Sequence, residues 1–144
     1  MLPVYGYTSI TCEQPHPIAL AELCYLSHPG RETLERYREM VFESAEFMAS
    51  YAHWEAKTAR YVLGPPLIPA QESYGQQRRT VINPTCERSY WQWALNLAQQ
   101  WRQALALPRV TKWDEVARNL SKPAVRDGVY AAIETPPYIA PHDH

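Results

Sequence analysis

A proline-framed stretch divides this chain between two long runs of helical periodicity, and no fold can absorb it into either. The segment reads Leu63-Gly64-Pro65-Pro66-Leu67-Ile68-Pro69-Ala70-Gln71-Glu72. Proline fixes φ and donates no hydrogen bond, so neither a helix interior nor a central strand can run through it. A long connection stiffened in this way holds its side chains in place and reads as a working surface more than a spacer. The only carboxylate it carries before Asn83 is Glu72.

The flanking periodicity predicts an all-α fold of about four helices with long irregular loops. A first helix is expected from about Pro17 to Ser27, with proline in its first turn and His28-Pro29-Gly30 ending it. A second, from about Glu32 to Tyr51, carries Leu34, Tyr37, Val41, Ala45, Met48 and Ala52 on one face. Arg36, Glu39 and Glu43 mark its solvent side. A third is expected to start with Asn83 as N-cap and Pro84 at the first helical position. It continues to about Leu105 with a stripe of Trp91, Leu95, Ala98, Trp101 and Leu105. A fourth, capped by Thr111, runs through Leu120 on Trp113, Val116 and Ala117. Residues 1–15 read as extended or irregular, and Arg60–Leu63 and Gly128–Ile133 as short strands. The loops are too long for a tight four-helix bundle, which points to one incomplete helical segment over residues 1–144.

The bulk numbers narrow the function classes. At 144 residues the chain is one domain, and its 46% apolar and 20% charged content is that of a globular protein. Net charge is −1 and Arg78-Arg79 is the sole adjacent basic pair, which argues against nucleic acid. Ten tyrosines and five tryptophans against two phenylalanines favour partly wet aromatic surfaces, in sugar clefts or at helix interfaces alike. Cys12, Cys24 and Cys86 lack zinc spacing, and Cys24 and Cys86 are expected to be small buried residues. His142-Asp143-His144 is short of partner ligands, so no metal and no cofactor is expected. Without an export signal or a spanning apolar run, the expected setting is soluble and cytoplasmic, with no membrane partner.

Several motifs in order carry a resemblance. Gln14-Pro15-His16-Pro17 is followed by Tyr61-Val62-Leu63-Gly64-Pro65-Pro66-Leu67-Ile68-Pro69-Ala70-Gln71-Glu72, and then by Asn83-Pro84-Thr85 with Glu87, Tyr90 and Trp91. Lys112-Trp113-Asp114-Glu115-Val116 and Asp127-Gly128-Val129-Tyr130 complete the pattern. From about Glu13 onward the chain resembles the C-terminal part of the catalytic domain of six-hairpin (α/α)6-barrel glycosidases, close to the glycoside hydrolase family 65 type. The resemblance implies a partial toroid, about a third of such a barrel, from an inverting enzyme acting on glucosides or related saccharides. It places the general acid at Glu72, although Ala70-Gln71 stands where a Pro-Asp-Glu context is usual. It also implies that the general base lies outside this chain, and that the isolated chain is inactive.

Each candidate has a plainer reading beside it. Glu72 is either the proton donor or a solvated loop acid. Glu87 falls on the Trp91 side of the third helix and so is expected to be semi-buried, to bind sugar hydroxyls or orient the acid loop, or simply to sit in a first turn that the helix dipole favours. Gln14, His16 and Gln71 are candidate hydrogen-bonders to sugar, and His16 is held between two prolines. Trp91, with Trp54, Trp93 and Tyr74, is a candidate stacking ring, though a tryptophan on a helical stripe is commonly core. The competing function is a non-catalytic helical module that binds saccharide or docks on a partner chain, the missing barrel portion or another copy.

Overall fold

Four helices form among the described residues, three of them on apolar side chains at three- and four-residue spacing. The structure is a computed structural model and describes residues 13–67, 69, 74 and 79–138. The helices are α1 (His16–Ser27), α2 (Arg31–Tyr51), α3 (Thr85–Ala104) and α4 (Thr111–Asn119). Two short antiparallel pairs accompany them: β1 (His53–Glu55) with β2 (Arg60–Val62), and β3 (Val125–Arg126) with β4 (Val129–Tyr130). Trp54 pairs with Tyr61 across the first and Arg126 with Val129 across the second. The fold class is all-α.

The helices pair as α1 on α2 and α3 on α4, with α2 packed against α3. Every stripe residue expected on α2 is buried except Tyr37, which packs half-buried against the core. On α3, Trp91, Leu95, Ala98, Trp101 and Leu105 are all buried, as are Trp113, Val116, Ala117 and Leu120 on and just after α4. Large rings bring a polar edge that must be satisfied once buried. The Trp101 indole N–H donates to Glu22 at 2.7 Å, and that of Trp113 to Glu46 at 2.9 Å. Both acceptors lie on the first hairpin, so these bonds tie the two helical pairs together. The α3–α4 corner is set by Gln99, whose amide donates to the Val110 carbonyl (2.8 Å) and accepts from its N–H (3.1 Å).

Several local expectations are corrected. Asn83 is not the N-cap of α3, because its side chain is engaged elsewhere; Pro84 holds the cap position and the helix begins at Thr85. Thr111 lies inside α4, after Val110, and makes no capping bond. The first strand has a partner, His53–Glu55, that periodicity did not reveal. The segment 128–133 is strand only at Val129–Tyr130. Cys24 is half-buried and Cys86 exposed, since both fall off the buried stripes of their helices; Cys12 lies outside the described residues.

Candidate functional site

The proline loop leaves β2 at Leu63 and returns at Asn83, and the two ends are clasped. The Asn83 N–H donates to the Leu63 carbonyl at 3.0 Å, and its Oδ1 accepts from the Leu63 N–H at 2.9 Å. Asn83 is 2% exposed and sits at φ +48°, a left-handed conformation that asparagine tolerates better than most residues. Its Nδ2 donates to Glu134 at 2.7 Å. Glu134 in turn accepts two bonds from Arg60, at 2.5 and 3.1 Å, and its N–H donates to the Ile82 carbonyl. Arg60 also meets Glu55 at 3.2 Å, so a line of alternating charge braces the neck. The bonds to Glu134 raise the Arg60 pKa above its ordinary value, while Thr58, then Arg60, hold Glu55 below the usual carboxylate range against the opposing effect of burial.

Within the neck the backbone is packed tightly. Gly64 adopts φ +78°, and a Cβ there would lie 2.7 Å from Leu67 Cγ and 2.8 Å from the Val81 carbonyl oxygen. Leu67 and Val81 are themselves fully buried. The loop is therefore rooted in the core at both ends. Gln71 and Glu72, which it carries, lie outside the described residues.

In the first turn of α3 is Glu87. The sequence placed it on the semi-buried side; it is in fact only 1% exposed, and desolvation pushes its carboxyl up to about 8. Burial lowers the pKa of the adjacent Arg88, whose guanidinium donates to the Ser121 carbonyl and to Gln92. Trp91 is fully buried, its ring tilted 5.7 Å from that of Tyr51, so it is a core residue with no face to offer a sugar. Gln14 is half-buried in the turn before α1.

His16 is exposed and stands edge-on to Tyr90 (5.5 Å between ring centroids), which stacks on Trp93 at 5.6 Å. Trp93 keeps 45% of its surface open. His16 thus meets α3 at Tyr90, three residues beyond Glu87, and the three rings form one aromatic surface. Trp54 is also half open and leans on Tyr61, whereas Tyr74 is buried. The sequence placed Arg60 in a short strand but gave no sign of its pairing with Glu134. They lie 74 residues apart and no local spacing announces their pairing.

Among the described residues no group of three or more His, Cys, Asp or Glu side chains is placed to hold a metal ion. No helix among them is long and apolar enough to cross a membrane. The chain matches no known protein-family model, and no curated protein is significantly similar to it in sequence.

Proposed function

We propose that the chain is the acid-bearing part of a saccharide-acting (α/α) toroid, a fragment or truncated relative of an inverting glycoside hydrolase with Glu72 as proton donor. The observation that supports this reading best is the clasp between Leu63 and Asn83. A proline loop closed at its neck by two hydrogen bonds, and rooted by Leu67 and Val81, is a suitable arm for presenting one carboxyl in a defined place.

In inverting hydrolysis an acid protonates the leaving oxygen while a base activates water on the opposite face of the ring, with the two carboxyls roughly 6.5–9.5 Å apart. Glu87 does not suit the base role. A carboxyl whose pKa is about 8 is largely protonated at neutral pH, and at 1% exposure it reaches no water on a substrate face. The base is therefore to be supplied from beyond the described residues. His16, Tyr90 and Trp93 are suited to line the approach, since sugar faces stack on such rings.

The test supplies the missing partner chemically. With azide as nucleophile, attack at the anomeric carbon breaks the bond to the leaving oxygen. The Glu72 proton goes to that oxygen, and the products are the alcohol and a glucosyl azide of inverted configuration. The reading predicts azide-dependent release of phenol from a phenyl α-glucoside, reduced about 10²-fold or more in Glu72→Gln. Equal rates from the two proteins would remove Glu72 from the acid role.

A second reading, the non-catalytic module, has its own support. Leu20, Leu23 and Leu26 on α1 are 58%, 59% and 65% exposed, an apolar edge suited to a covering partner, the remainder of a barrel or another copy.

A further inference from the structure

Beside the loop neck, a cleft of about 650 Å³ opens between the turn joining β1 to β2, the end of α4, and β3. That volume lies in the range of small-molecule sites. Its wall includes Arg60, Lys122, Arg126 and a single acid, Glu134, over an apolar base at Leu120 and Ala124.

The charges do not cancel. Glu134 is consumed by Arg60, which takes both its oxygens, and by Asn83. Arg60 has its remaining Nε on Glu55 and Thr58. Lys122 and Arg126 make no ion pair among the described residues, and the Arg126 guanidinium lies over the ring of Tyr138, 4.4 Å from its centroid. Two cations therefore face one cleft without a counter-charge among the described residues.

Ser121 adds an independent sign. Its backbone is saturated, the N–H donating to the Tyr61 carbonyl at 2.9 Å and the carbonyl accepting from Arg88. The residue is 1% exposed and part of the cleft lining, yet its Oγ has no hydrogen-bond partner among the described residues. Buried hydroxyls are seldom left so, and one beside two spare cations is placed for an acceptor-rich ligand.

We propose that this cleft binds a small anion of monosaccharide size, carrying a carboxylate or a phosphate. Lys122 and Arg126 meet the charge, and the Ser121 hydroxyl, buried in the cleft wall, turns about χ1 to donate to one of its oxygens. The proposal rests on these three residues and not on Glu72, so it stands or falls apart from the glycosidase reading.

The test is titration of the full chain with glucose 6-phosphate, glucuronate and glucose at constant ionic strength, read from backbone amide shifts and by calorimetry. The two anions separate phosphate from carboxylate as the recognised group, and glucose controls for the sugar body. Saturable binding of at least one anion, centred on Ser121, Lys122 and Arg126, and absent for glucose, is expected. Lys122→Gln with Arg126→Gln, both exposed positions that leave the fold intact, should weaken it about tenfold or more, and Ser121→Ala should weaken it separately. Saturable binding of neither anion, unchanged binding in the double variant, or equal shifts produced by sulfate at matched ionic strength would overturn the proposal.

Discussion

Asn83 fastens two distant parts of the chain with one short side chain. It accepts from Leu63, donates to Glu134, and accommodates the positive φ at which the loop re-enters. Asn83→Ala strands the Leu63 N–H and places alanine in a left-handed conformation, so a loss of about 3 kcal/mol is expected in urea unfolding. Glu87 contributes differently. Its folded pKa, about 8, exceeds the ordinary 4.5, so below 4.5 both states are protonated and burial exacts no electrostatic cost. Between those values the unfolded chain gives up the proton and the folded one keeps it, so stability falls as pH rises, by up to about 1.4 kcal/mol per unit. Above about 8 the penalty is complete. Glu87→Gln should flatten this part of the stability profile, raising stability at pH 8 relative to the parent. A parallel fall in both proteins would refute the assignment. Neither role was legible in advance. Asn-Pro before a helix signals a cap, and here a tertiary demand on the amide overrides it.

At the level of elements, the stripes of α2, α3 and α4 were legible because helical burial repeats every three to four residues and these helices keep that period. Trp91 shows the limit of such reading. Its position on the stripe marked core, its motif suggested substrate, and it lies fully buried against Tyr51. Trp91→Ala should therefore cost about 3–5 kcal/mol of stability, a cavity effect visible in thermal unfolding. The proline loop was legible as a loop, but its closure was not, because β1, Arg60 and Glu134 come from segments with no periodic signature. Gly64 tests the tightness of the neck. With φ +78° and a would-be Cβ 2.8 Å from a backbone carbonyl, Gly64→Ala should lower the unfolding midpoint, by about 1–3 kcal/mol in free energy. An unchanged midpoint would mean that the neck gives way.

Across the whole molecule, two helical pairs bury their facing stripes and leave the leucine edge of α1 open. An exposed apolar edge of that kind favours association. Leu20→Glu with Leu23→Glu should shift a concentration-dependent elution volume towards monomer in size-exclusion chromatography. An elution volume independent of concentration for the parent chain would count against a docking role. The central claim is that the clasped loop delivers Glu72 as a proton donor, and leaving-group dependence tests it most directly. In the azide assay, Glu72→Gln should slow release from a phenyl glucoside by about 10²–10⁴-fold and barely affect a dinitrophenyl glucoside, whose leaving group needs no proton. Equal loss with both substrates, or with neither, would contradict the account.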